Sequence, residues 1–201
     1  MKFNLFTRKS KKDISVSVGA VAGNIDISRN HDDYSFVFND ISQESSNCET
    51  VVFGDLTSSH FSDTLTVYQN GKPVTKLDLR HDDLTWNKKR AVKFHQFIAI
   101  GLSGFFYLYD LSSSRFVIFI NFSGYFCDLQ TTEDYLVVAY HSGMYCLTKY
   151  GQIKWHNSQV GLDGITIERI NGNVVYGCEQ IDPPDGWRDF VIDLVTGMKQ
   201  E

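Results

Sequence analysis

Residues Phe97–Asp110 read "FIAIGLSGFFYLYD", two apolar runs broken by one Ser-Gly pair. Runs of this length, rich in aromatic and branched side chains and bounded by turn residues, read as paired strands. Working outward, similar apolar runs begin at Val51 ("VVFGD"), Leu136 ("LVVAYH") and Val174 ("VVYGCE"), and each precedes a strand-turn-strand module. The four starts fall 46, 39 and 38 residues apart. A period near 40 built from strands is that of a β-propeller blade, whose sheet cannot bury both faces until neighbouring blades stack on it.

The turns support this reading. Asn70-Gly71 sits between the apolar runs of "TLTVYQNGKPVTKLDL", and both residues tolerate the positive φ of a tight hairpin. Gly151 and Asn171-Gly172 take corresponding turns further on. "ISVSVGAVAGNIDIS" from Ile14 to Ser28 reads as a hairpin, "YSFVF" from Tyr34 to Phe38 as a strand, and "LTWNKKRAVKFHQ" from Leu84 to Gln96 as a loop followed by a strand. The chain is 201 residues long, enough for one domain that buries roughly 70% of its extended surface. Its length accommodates about five blades. A ring must close to remove its sheet edges, and the expected closure is a last blade shared between N- and C-terminal strands. The expected organisation is a flexible basic tail at 1–13 followed by one all-β propeller domain at 14–201.

Composition narrows the function. Aromatics make up 14% of the chain and only three residues are proline, which favours strands. The formal net charge of −5 lacks the dense basic face that nucleic acid binding needs, and suits a basic protein partner. Cys48, Cys127, Cys146 and Cys178 have neither metal-knuckle nor disulfide-framework spacing, and read as reduced thiols. The first 13 residues carry Lys2, Arg8, Lys9, Lys11 and Lys12 but no apolar signal core, and no stretch is long enough to span a bilayer. The expected compartment is the cytoplasm, with no membrane contact.

Three segments invite chemistry. "NHDDYSF" from Asn30 and "LRHDDLTW" from Leu79 each hold His-Asp-Asp. Neighbouring residues on a strand point to opposite sides, so neither tripeptide makes a metal site by itself, and both read as solvated turn residues. No cofactor, metal or catalytic residue is assigned. The loop "EQIDPPDGWRDF" from Glu179 is stiffened by Pro183 and Pro184 and bent at Gly186. A rigid acidic loop carrying an aromatic makes a good interface anchor because it loses little entropy on docking. Glu179, Asp182, Asp185 and Trp187 are therefore the leading partner-binding residues, with Asp32, Asp33, Asp82 and Asp83 second.

"YGQIKWH" at Tyr150–His156 and "VIDLVTGMKQ" at Val191–Gln200 resemble the strand-Asp-x-x-Thr-Gly-x-x-x-Trp repeat of quinoprotein-type propellers. In that family the Gly makes the turn and the Trp docks adjacent blades. The resemblance implies turns at Gly151 and Gly197 and a docking role for Trp155; Glu201 stands where a second Trp would be expected. In size and kind the chain also resembles small bacterial propellers with quinoprotein-like or tryptophan-aspartate repeats, some of which are immunity proteins to contact-dependent or polymorphic toxins. That resemblance implies a non-enzymatic protein that binds a cognate basic toxin, such as a nuclease, and covers its active site. The alternative expectation is a small carbohydrate-active or hydrolytic propeller with its site at the central opening.

Overall fold

A computed structural model describes residues 34–54, 61–82, 88–182 and 186–200. Sixteen strands and one short 3-10 turn at Glu44–Asn47 account for their regular structure. In chain order the strands are β1 Tyr34–Phe38, β2 Thr50–Phe53, β3 Phe61–Gln69, β4 Lys72–His81, β5 Lys89–Phe94, β6 Phe97–Leu102, β7 Phe105–Asp110 and β8 Arg115–Asn121. They continue as β9 Phe126–Thr131, β10 Tyr135–Tyr140, β11 Gly143–Thr148, β12 Ile153–Asn157, β13 Ile165–Asn171, β14 Val174–Asp182, β15 Gly186–Asp193 and β16 Lys199–Gln200. They form four sheets of four: β1-β3-β4-β2, β5-β6-β7-β8, β9-β10-β11-β12 and β13-β14-β15-β16. The last three are antiparallel meanders, as propeller blades are.

Burial shows why the sheets stack. Every residue of β6 is buried, because the second blade has a neighbour on each face. Ile98, Ile100, Leu102 and Tyr107 pack towards Phe36, Leu65, Leu77 and Leu79 of the first blade. From the opposite face, Phe97, Ala99, Phe106 and Leu108 meet Phe126, Leu129, Leu136 and Val138 of the third. A third cluster joins Val137, Ala139, Met144 and Cys146 to Ile165, Val175, Phe190 and Ile192 of the fourth. Each such aliphatic or aromatic side chain contributes roughly 1.5–3 kcal/mol by leaving water, so the stacking faces hold the assembly together. The fold is an all-β propeller, as its repeat predicts.

Two features differ from the expected organisation. Four blades, not five, occur among the described residues, and the fourth draws all its strands from 165–200. The strands expected at Ile14–Ser28, offered as partners for that blade, lie outside the described residues, as does the basic tail at 1–13. The second difference concerns the first blade. "FIAIGL", "LVVAYH" and "VVYGCE" fall on β6, β10 and β14, the second strands of their blades, but "VVFGD" begins an outer edge strand paired parallel to β4. Its resemblance to the others is only local, since a four-residue apolar run suits any strand position.

The first blade is also reversed at its inner edge. Asn39, just past the end of β1, donates to Asp63, which also pairs with Lys89 at the start of β5. Tyr34 at the other end of β1 lies under Lys93 near the end of β5. The inner strand β1 thus runs opposite to β5. The Asn70-Gly71 turn adopts φ values of 51° and 74°, the paired left-handed geometry expected of it. At the other predicted Asn-Gly turn, Asn171 instead pairs with Val174, so Gly172 and Asn173 form the loop.

Polar stitches cross the blade junctions. The Asp128 carboxylate accepts from Arg90 Nη1 at 2.5 Å, from its neighbour's Leu129 N–H at 2.8 Å and from Ile167 N–H at 3.3 Å, tying three blades together. Trp155 Nε1 donates to the Leu194 carbonyl at 2.9 Å, and its ring lies where a side chain on Gly197 would have to go. Gly197 has φ +74°, so the turn-glycine and docking-tryptophan expectations are both met.

Candidate partner-binding surface

The chain direction of the last three blades places one set of connections at a single end. There the Tyr140–Gly143 turn, the loop of residues 158–164 and the turn end of the β14–β15 hairpin converge on a groove of about 550 Å³ between the third and fourth blades. Ser142, Ser158, Gln159 and Leu162 line one side; Ile181, Arg188 and Lys199 line the other. Backbone bonds fix the loop: Gly161 N–H donates to Ser142 O at 3.1 Å, and Leu162 N–H to Gln180 O at 3.0 Å. This leaves Leu162 65% exposed beside Ile181, while Trp187, 50% exposed, lies against Gly164 of the same loop. Two large apolar side chains in water on one groove, with an exposed indole against the loop beside it, are a recognition feature, because isolated apolar side chains are common on surfaces but grouped ones are not.

The electrostatics of the groove reverse the expected role of Glu179. Alternation along β14 puts Glu179 on the same face as Val175 and Gly177, inside the blade junction, where it is only 1% exposed. Its Oε1 accepts from Arg188 Nε at 2.9 Å and Arg188 Nη2 at 2.6 Å, and also from Lys199 Nζ. A carboxylate this deep requires such partners, since burying it alone is costly. Its charge is therefore met within the chain.

The remaining sequence-derived residues divide by position. Trp187 pairs with Gln180 on the opposite face of β15 from Arg188 and lies against Gly164, and Asp182 ends β14 opposite Gly186 on the same hairpin. Asp82 is exposed just beyond β4 on the first blade. Asp32, Asp33, Asp83 and Asp185 lie outside the described residues. The fold thus puts Glu179, Asp182 and Trp187 on one hairpin, with Glu179 and Trp187 on opposite faces, and places Asp82 on a separate blade. Leu162 and Lys199 were not singled out by the sequence, although Leu162 between Gly161 and Gly164 is an apolar residue in a loop.

The second His-Asp-Asp segment corrects an expectation. His81 is not a solvated turn residue: it ends β4, is buried, and its Nε2 lies 3.1 Å from Asp63 Oδ2. Burial raises the Asp63 carboxyl, but hydrogen bonds from Lys89, Asn39 and His81 outweigh burial and hold it below the ordinary carboxylate range. Beside this cluster, burial and then the charge of Asp63 push the Tyr107 hydroxyl well above its usual range. Among the described residues no group of three or more His, Cys, Asp or Glu side chains is arranged to hold a metal ion. All four cysteines are free. Burial pushes the Cys127 thiol up to about 11 and the Cys146 thiol to about 12; burial, then hydrogen bonds to Asp189 and Glu168, takes Cys178 to about 12. Among the described residues no helix is long and apolar enough to cross a membrane.

No protein-family model matches the sequence, and no curated protein matches it. Solved structures do match the fold. The computationally designed Ika8 protein aligns over 74% of this chain and 46% of its own, with a TM-score of 0.50 at 16% identity. Hydrazine synthase of Kuenenia stuttgartiensis aligns over 76% of this chain and 47% of its own, with a TM-score of 0.51 at 9% identity. The WD40 domain of Neurospora crassa Pan2 aligns over 69% and 45% of the two chains, with a TM-score of 0.45 at 14% identity. The chain spans about half the length of the solved structures it matches, and what it shares with them is the fold.

Proposed function

We propose that this chain is a non-enzymatic protein-binding propeller that docks one partner at the end of the blades carrying the groove. The observation that supports this most is the pairing of Leu162 and Ile181 in water on a concave site held by backbone hydrogen bonds, with the exposed Trp187 against Gly164 of the same loop. Preformed apolar anchors beside buried, satisfied polar groups lose little entropy on binding, which is the physical requirement for a tight interface. In finer form, the partner is a cognate bacterial toxin, and the chain acts in the cytoplasm as an immunity protein that covers the toxin's active site. The net charge of −5 supports a partner of basic net charge, since long-range attraction acts on the summed charge of both molecules.

The test is capture with the tagged chain from cells expressing its neighbouring genes, comparing wild type with a Leu162→Ala/Trp187→Ala variant. One stoichiometric partner, held by wild type, lost by the variant and inactivated in the complex, is the expected result. A partner held equally by both would move the interface elsewhere. Absence of any specific partner would overturn the protein-binding reading.

A further inference from the structure

We infer that the groove between the third and fourth blades binds a carboxylate side chain, Asp or Glu, of an extended partner segment, with an adjacent apolar side chain resting on Leu162 and Ile181. The inference rests on the protein-binding reading and deepens it by naming the chemistry that the partner presents. Glu179, Arg188 and Lys199 are the charged residues lining the groove. One carboxylate against two cations leaves an excess of one positive charge, in a chain whose total is −5.

Geometry makes that charge accessible. The Glu179 side chain is 2% exposed, whereas that of Arg188 is 59% exposed. Glu179 takes the Nε and Nη2 donors of Arg188, and Nη1 is not used in those bonds. Held on one edge by a buried acceptor, the guanidinium is prevented from folding back and presents its remaining donors outward, as forked carboxylate recognition requires. Lys199 is held similarly, by Glu179 and by the Val160 carbonyl at 3.4 Å. Asp163, the acid of the 158–164 loop, is engaged elsewhere: its Oδ1 accepts from Tyr125 Oη at 3.0 Å. Glu179 thus acts as a positioning residue for two cations.

A partner of basic net charge is compatible with an acidic contact here. Steering depends on the summed charge of both molecules, whereas docking depends on the few groups that touch.

The test uses isotope-labelled chain titrated with three probes: N-acetyl-Leu-Glu-Leu-amide, its Gln counterpart as the amide, and that Gln peptide as the free acid. The expected result is saturable shifts at Arg188 Nε–H and at the Leu162 and Ile181 amides with the Glu peptide, at least about tenfold weaker with the Gln amide. Arg188→Gln should abolish the shifts. Because that change touches a buried pair, Leu162→Glu serves as a second variant: it lies in water, leaves the pair intact and should also weaken binding about tenfold by repulsion and lost contact. Equal binding of the Glu and Gln amides, or shifts elsewhere, would overturn the inference. Preference for the free acid would overturn its side-chain form and assign the groove to a chain terminus. Failure to capture any protein partner, with the peptide result intact, would remove the protein-binding reading while leaving the carboxylate site.

Discussion

Replacing Gly197 by alanine tests whether the turn-to-tryptophan contact stabilises the junction of the last two blades. Two costs apply. At φ +74° an alanine is strained by roughly 1–2 kcal/mol. Its Cβ would also lie 2.6 Å from Trp155 Cδ2, so the indole must move, and overpacking of this kind costs about 1–3 kcal/mol. Gly71 supplies the control. It has the same φ of +74° with nothing within 4 Å of an added Cβ, so Gly71→Ala carries the backbone cost alone. The expected losses are about 1–2 kcal/mol for Gly71→Ala and about 2–5 kcal/mol for Gly197→Ala, read from urea unfolding followed by circular dichroism. In a Trp155→Leu background the Gly197→Ala cost should fall to that of Gly71→Ala, because the clash is gone. If the two glycine variants lose the same stability to within about 0.5 kcal/mol, or if the cost persists without Trp155, the docking argument is wrong.

Asp128→Ala should destabilise by about 3–5 kcal/mol, since it strands Arg90 and two backbone N–H groups at a three-blade junction; urea midpoints check this against Arg90→Ala, which should cost less. The lowered Asp63 carboxyl contributes stability that is present above its unfolded value near about 4 and is lost as pH falls through the lower folded value. Asp63→Asn should therefore flatten that part of the acid limb in unfolding midpoints measured between about pH 2 and 5. Cys127, Cys146 and Cys178, with thiols pushed to about 11 or 12, should react with a thiol-disulfide reagent at neutral pH at least about tenfold more slowly in the folded chain than in urea. Rapid labelling of all four in the native state would contradict their placement.

What the sequence revealed follows from how each signal arises. The strands β6 and β10 were legible because blades covered on both sides need long apolar runs, and β14 because its apolar start recurs with the same blade period. The run at Val51 was misleading because four apolar residues carry no information about which edge of a sheet they occupy. Trp155 and Gly197 were legible as a motif since only glycine accepts that turn while leaving room for the ring. Glu179 was placed on an interface loop although its spacing from Val175 and Gly177 puts it on their face. Parity along β14 carried that information. The cations that neutralise it did not announce themselves: Lys199 is 20 residues away, on a two-residue strand set by the outer pairing of the last blade.

The same geometry explains why recognition sits where it does. In the second and third blades the middle strands are buried on both faces, so substitutions there act on stacking before they act on anything else. The fourth blade is different. Val175, Phe190 and Ile192 hold one face against the third blade, while Val174, Tyr176 and Val191 alternate onto the other face and are only partly buried. Its hairpin rises beyond the stacked face, and there the register pairs Glu179 with Arg188 and Gln180 with Trp187. One cross-strand pair thus buries an acid and presents a guanidinium, and the next presents an indole on the opposite face. A one-residue slip that set Glu179 opposite Trp187 would bring the indole onto the carboxylate's face and turn Arg188 away from it. The recognition surface therefore depends on register, which the apolar pairs Val175–Ile192 and Gly177–Phe190 enforce from inside the blade junction.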